Sequence, residues 1–190
     1  MGKVLLGIVA TLLVLAATAL VYARVTGWSA QQPPLPLERQ ATGFVRTFAM
    51  PGDAKRRVNP VPASPGVLAD GLAHYADHCA FCHGEDGAGS EIGRGMFPPV
   101  PDMRGAGTQQ MTDGELFYAI EHGVRLTGMP AFATGTPEGE ASSWRLVHFL
   151  RRLPQLTEDE RDQIASLTPR SAQQVREEIA EEKFLRGEQP

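Results

Sequence analysis

Cys79-Ala80-Phe81-Cys82-His83 sets two thiols three residues apart with a histidine directly after the second. A C-x-x-C-H run suits covalent attachment of a haem. Thiols at this spacing reach the two vinyl groups on one edge of the macrocycle, and the next imidazole then lies under the iron as an axial ligand. Three other chemistries compete for the same residues. A zinc site needs further ligands close by, and His74 and His78 are the nearby offers. A dithiol pair of the thioredoxin kind needs a βαβ pattern around it, which is not visible. A disulfide is open to an exported chain but leaves His83 without a role. Haem attachment gives all three side chains work.

A second axial ligand is sought downstream. Thr127-Gly128-Met129-Pro130-Ala131-Phe132 places Met129 46 residues after His83, in a loop stiffened by proline. Thioether ligation raises the potential and closes the iron to other ligands, which suits electron transfer rather than oxygen chemistry. Met96, Met103 and Met111 are rivals, although a methionine more often fills a core. His122 would make a bis-histidine site, but a helix-terminal histidine is usually exposed. His74 and His78 share the segment that delivers Cys79 and so lie on the wrong side for the distal face.

Helices must position these groups. Ser64-Pro65 is an N-cap serine with proline at the first helical position, opening a helix that ends near Cys79. Val67, Leu68, Gly71, Leu72 and Tyr75 share one of its faces. Thr112-Asp-Gly-Glu115 is a capping box for a second helix stopped by Gly123. A third begins near Ser142 or Ser143 and stops at Pro154. Glycine- and proline-rich loops lie between them, and no strand signal competes. An all-α domain with half its length in loops has a poor core of its own, which a large apolar cofactor would complete.

Residues outside that domain differ in character. Val4 to Ala23 is a run of twenty residues without a charge, between Lys3 and Arg24. It would span about 30 Å as a helix, the thickness of a bilayer core. Tyr22 and Trp28 fall where interfacial aromatics belong. Val21-Tyr22-Ala23 resembles a signal-peptidase site, but the apolar run is longer than a signal core, which favours an uncleaved transmembrane anchor. Either reading exports the rest of the chain. The expected organisation is an anchor over 1–25, a proline-rich linker over 26–63, a haem domain over 64–154 and a charged helical tail over 155–190. Prolines 33, 34, 36, 51, 60 and 62 mark the linker, and Lys55-Arg56-Arg57 reads as a solvated cluster.

Composition narrows the function. A net charge of −4 argues against nucleic-acid binding, and two cysteines exclude a disulfide framework or a four-thiolate metal site. Residues 67–153 carry six basic and eleven acidic side chains and no lysine, a surface suited to a basic or neutral partner.

Residues 66–154 resemble a class I cytochrome c, of the single-haem type also found in bacterial oxidase subunits. Gly71 and Tyr75 stand eight and four positions before Cys79, where that family has a glycine and an aromatic. Leu146 and Phe149 resemble the pair that packs across the glycine. Gly84-Glu-Asp-Gly-Ala-Gly89 resembles its glycine-rich loop, and the run from Glu115 to Phe132 resembles its penultimate helix and methionine loop. The resemblance implies three to four helices around one covalent haem c, with Cys79 and Cys82 as thioether residues and His83 and Met129 as iron ligands. It implies a carbonyl of Pro98 or Pro99 on the His83 ring N–H. Tyr75, Trp144 and Phe149 would pack beside the haem, although core packing is the simpler role for Trp144 and Tyr118.

The expected function is a membrane-anchored electron carrier on the periplasmic side of a bacterial inner membrane, or outside the cell. It would pass single electrons between redox partner proteins, such as a membrane complex and a haem or copper protein. No catalytic residue and no small-molecule substrate are expected. The alternatives are a haem subunit of a larger oxidase or dehydrogenase, a ligand-binding haem sensor or enzyme if Met129 dissociates, and a haem-free thiol or metal protein.

Overall fold

The computed structural model describes residues 2–27, 29–30, 32–170 and 172–187, so Trp28 lies outside the described residues. It falls into two compact units, Met1–Pro33 and Pro34–Pro190. The first contains helix α1, Gly2–Thr26, which buries none of its side chains. It is long and apolar enough to cross a membrane.

The second unit is helical throughout, with no strand among the described residues. Helices α2 (Pro36–Ala49) and α3 (Gly52–Arg56) come first, then α4 (Pro65–His78) and the short α5 (Ala80–His83), α6 (Glu91–Arg94) and α7 (Ala106–Gln109). Helices α8 (Asp113–His122) and α9 (Pro137–Arg152) follow, then α10 (Glu158–Leu167) and α11 (Ala172–Leu185).

Local chemistry sets most of these bounds. Ser64 caps α4 by accepting from the Val67 amide at 3.2 Å. Thr112 and Glu115 exchange the two bonds of a capping box on α8, and Gly123, at φ 67°, ends it. Thr157 and Glu160 do the same for α10. Helix α9 begins five residues or more before the expected Ser142 or Ser143. Thr136 caps it by accepting from Gly139, Pro137 follows the cap, and Glu138 and Glu140 complement the positive end of the helix dipole.

Packing centres on the crossing of α4 and α9. A Cβ on Gly71 would lie 2.7 Å from the Arg145 carbonyl oxygen and 2.8 Å from Phe149 Cβ. Hydrogen alone fits there. Around this point Leu72, Tyr75, Ala76, Leu146, Phe149 and Leu150 are buried, and Ile164 of α10 closes one end. On the flank of α8, Phe117 stacks on Trp144 with centroids 4.0 Å apart. Arg151 binds Asp113 at 2.7 Å and also donates to the carbonyls of Gln109 and Met111, tying α9 to the start of α8.

The stretch 26–63 departs from the extended linker expected of it. Pro36 stands at the start of α2, where its missing N–H has no partner to lose, so it initiates a helix instead of breaking one. Residues 51–63 lie along the domain: Ala54 is buried, and Gly114 faces the carbonyls of Ala54 and Arg57. Asn59 donates to the Trp144 carbonyl at 2.9 Å, and the Val61 carbonyl lies 2.7 Å from His148 Nε2. Arg57, although exposed, is also engaged by the domain. Its guanidinium sits 4.4 Å from the Phe117 ring centroid and pairs with Glu140.

Gly71→Val is expected to lower unfolding free energy by about 1–3 kcal/mol through overpacking. Gly107→Ala serves as control, since a Cβ there meets nothing within 4 Å. Equal denaturant midpoints for the two variants would contradict the close crossing.

Candidate functional site

The site grows from the end of α4. Cys79 is both the last cap of α4 and the first of α5; its amide donates to the Tyr75 carbonyl at 2.8 Å. The amides of Cys82 and His83 both return to the Cys79 carbonyl, at 3.1 and 2.9 Å. One tight turn thus carries both thiols and the imidazole.

Three neighbours fix that turn. The Tyr75 hydroxyl, on a fully buried ring, donates to the Gly84 carbonyl at 2.6 Å. Ser90 donates to the Phe81 carbonyl at 2.7 Å through its hydroxyl and to the Cys82 carbonyl at 3.0 Å through its amide. Gly93 of α6 presses on the same peptide, where a Cβ would come 1.9 Å from the Cys82 oxygen. The turn is held by hydrogen bonds to its backbone carbonyls and by the close approach of Gly93, and none of its three reactive side chains supplies one of those bonds.

Their chemical state is informative. Cys79 and Cys82 are free and half-buried. Burial, with Cys82 alongside, pushes the Cys79 thiol up to about 12, and burial also raises Cys82. Burial lowers the His83 imidazole, so it is neutral at pH 7 and has a lone pair to offer. Dithiol exchange, which needs a ready thiolate, is disfavoured at thiols raised in this way. Among the described residues no group of three His, Cys, Asp or Glu side chains is placed to hold a metal ion. His74 and His78, the zinc-ligand candidates, stack edge to face at 5.0 Å, and His74 Nδ1 bonds the Ser142 hydroxyl at 2.8 Å. With Phe132 and Leu167 they line a cleft of about 660 Å³ that none of Cys79, Cys82, His83 and Met129 borders.

Met129 is half-buried in the loop that returns along the end of α8. Its carbonyl accepts from Val124 at 3.2 Å, and its amide donates to the Thr127 hydroxyl at 3.1 Å. Phe132 then donates to the Ile120 carbonyl at 3.0 Å, fastening the loop to α8. The rival methionines sit in different surroundings. Met103 is buried and Met111 packs against the core, whereas the Met96 sulfur lies against Gly128, beside Met129. His122 is exposed and rests 4.3 Å from the Tyr118 ring.

Two buried side-chain nitrogens lack a hydrogen-bond partner among the described residues, His83 Nδ1 and Trp144 Nε1. The bond expected between His83 Nδ1 and a carbonyl of Pro98 or Pro99 is therefore not made. That run is tied elsewhere, with the Val100 amide donating to the Gly93 carbonyl at 3.1 Å and Pro99 exposed.

Residues 66–150 match the family model described as cytochrome c oxidase, cbb3-type, subunit III. This segment, 85 of the chain's 190 residues, resembles a class I cytochrome c domain. Thiosulfate dehydrogenase from Stutzerimonas stutzeri (strain A1501) is 41% identical over 61 residues, which is 32% of this chain and 20% of that protein. The chain thus spans about a fifth of the length of that curated relative.

A cytochrome c domain implies a haem, and the residues present fit one. Two protonated thiols and a neutral imidazole stand on one turn whose backbone is fixed without them. A thioether waits in a separate loop, and the His83 ring has no competing partner. Sequence reasoning missed the clamp of residues 54–61, which precedes the matched segment and packs on Gly114, Trp144 and His148. No local signal announces it, because its partners are distant in sequence: Gly114 stands 60 residues after Ala54, and Trp144 and His148 stand 85 and 87 residues after Asn59 and Val61.

Tyr75→Phe keeps the buried ring and removes the donor to Gly84. We expect a loss of about 1 kcal/mol in stability and faster hydrogen exchange at the amides of residues 82–84. Unchanged exchange there would mean that the hydroxyl does not hold the turn.

Proposed function

We propose that the protein is a membrane-anchored, single-haem c-type cytochrome that carries single electrons on the periplasmic side of a bacterial inner membrane. The observation that carries this reading is the Cys79–His83 turn, with two neutral thiols and an unprotonated imidazole on a backbone held by Tyr75, Ser90 and Gly93. The cytochrome domain supports an electron-transfer haem protein, and α1 supports the anchor.

The haem supplies a reversible one-electron change at its iron. The chain does the rest. Cys79 and Cys82 would hold the haem covalently through their sulfurs. His83 would offer a ring nitrogen to the iron, and Met129 its thioether from the α8–α9 loop. An imidazole and a thioether on the iron would close it to small substrates, and the domain's buried side chains would limit water rearrangement when the charge changes. Trp144 and Tyr75 act by filling the core around the site.

The surface supports a basic or neutral redox partner. Arg104 is held by Asp86 at 2.7 Å and by Asp102 at 2.9 Å, and Arg145 is held by Glu138 at 2.8 Å. Arg151 and Arg152 pair with Asp113 and Glu160 at 2.7 and 3.2 Å. Much of the domain's positive charge is thus neutralised locally, against eleven acidic residues in 67–153. Rates of electron exchange with a basic partner should fall as salt rises, and a rate that rises with salt would contradict this surface.

A second reading is favoured by the two matches, an oxidase subunit and a dehydrogenase: the chain would serve as the haem subunit of a larger oxidoreductase. Co-purification of other chains with the detergent-extracted protein would support that assignment over a free carrier.

Visible spectra of the full chain, made in an exporting host with haem-attachment machinery, test the ligand set. We expect a low-spin haem with the weak far-red band of methionine bound to ferric iron. Met129→Ala should lose that band and bind carbon monoxide when reduced, while Met103→Ala should keep it. A high-spin wild type that binds carbon monoxide would remove Met129 as a ligand and favour the sensor or enzyme reading.

A further inference from the structure

Helix α2 is the amphipathic element that the cytochrome reading leaves without a purpose. Its apolar residues Leu37, Ala41, Phe44, Val45 and Phe48 recur at i, i+4, i+7, i+8 and i+11, which gathers them on one side. Arg39 and Arg46 fall on the opposite side, about 160–200° around the helix from that stripe. The stripe is uncovered: Leu37, Phe44 and Phe48 are 74%, 70% and 79% exposed. Phe44 and Phe48 stack on each other at 6.0 Å, and no residue of α2 is buried.

A helix of 14 residues is marginal in water, and tertiary packing normally supplies what is missing. Among the described residues no element packs on α2 closely enough to bury any of its side chains. The neighbourhood in the chain says what would. Helix α2 begins ten residues after the last residue of α1, the apolar segment read as the anchor. Residues 24–57 carry six basic and two acidic side chains, so the chain beside that anchor is positive. A helix with a wide aromatic and aliphatic face and arginines on its polar face matches the pattern that lies in the plane of a bilayer surface. Basic residues held there gain from anionic headgroups within about one Debye length, ~10 Å at 0.1 M salt.

We propose that α2 is a membrane-surface helix, seated in the interface of an anionic bilayer with Leu37, Phe44, Val45 and Phe48 in the acyl boundary. Held this way, it limits the reach of the cytochrome domain from the membrane to the short run between α2 and the clamp at Ala54. The proposal rests on the anchor reading, and its test keeps the two apart.

The test uses the full chain in vesicles of phosphatidylglycerol and phosphatidylcholine whose lipids carry brominated chains. Retention of the protein on vesicles through an alkaline carbonate wash reports the anchor alone. Phe44→Trp adds a fluorophore on the apolar stripe, and its emission is read as the increment over wild type, which already holds Trp28 and Trp144. We expect a blue-shifted increment, quenched at least two-fold by the brominated lipid. In the Phe44→Trp background, Phe48→Glu should abolish the quenching, and Arg39→Glu with Arg46→Glu should weaken it in phosphatidylglycerol vesicles only. Full retention with an unquenched, red-shifted increment would overturn the surface helix while leaving the anchor intact. Loss of retention with quenching preserved would overturn the anchor and leave the helix. An unquenched increment together with dimers in detergent that Phe48→Glu dissolves would assign the stripe to a second copy of the chain and overturn the lipid proposal.

Discussion

At Gly71 helices α4 and α9 approach until only a hydrogen atom fits between them. Much of the molecule follows from that contact. It fixes the angle and register of α4, and the end of α4 is the start of the Cys79–His83 turn. It also brings Tyr75 under Phe149, with ring centroids 5.2 Å apart, which places the Tyr75 hydroxyl on the Gly84 carbonyl. A displacement at the crossing would therefore be felt at the two thiols and the imidazole, eight to twelve residues further on.

The site is built so that its reactive atoms carry no structural duty. Backbone bonds from Ser90 and the close approach of Gly93 hold the turn, while burial keeps the thiols protonated and the imidazole neutral. The Met129 loop is held independently of that turn, by Thr127 and by the end of α8. Electrostatics adds a third layer, with guanidiniums paired in place in a domain that carries more acidic than basic side chains.

Features written locally were legible in the sequence. The capping boxes at Thr112 and Thr157 and the Ser64-Pro65 start each involve residues within five positions of one another, and each forms as the spacing suggests. The C-x-x-C-H run was equally legible as a motif, and its three side chains fall on one turn. What depended on distant partners was not legible. The clamp from Ala54 to Val61 is defined by Gly114, Trp144 and His148, and prolines around α2 hid its helical period behind a linker composition. The true start of α9 was obscured in the same way, because glycine and proline in Gly135-Thr-Pro-Glu-Gly139 outweighed the Thr136 cap. Resemblance carried the core pair of Gly71 and Phe149 correctly, yet its proline carbonyl on His83 is not made here.

The central claim is that the Cys79–His83 turn holds a haem by covalent bonds. Intact mass of the chain, measured after denaturation in strong reductant, tests it most directly. The account predicts one haem per chain that survives denaturation, with Cys79→Ala retaining a single, weaker attachment and the double Cys79→Ala, Cys82→Ala variant retaining none. A wild-type chain of unmodified mass, produced alongside a control cytochrome that does acquire its haem, would contradict the account.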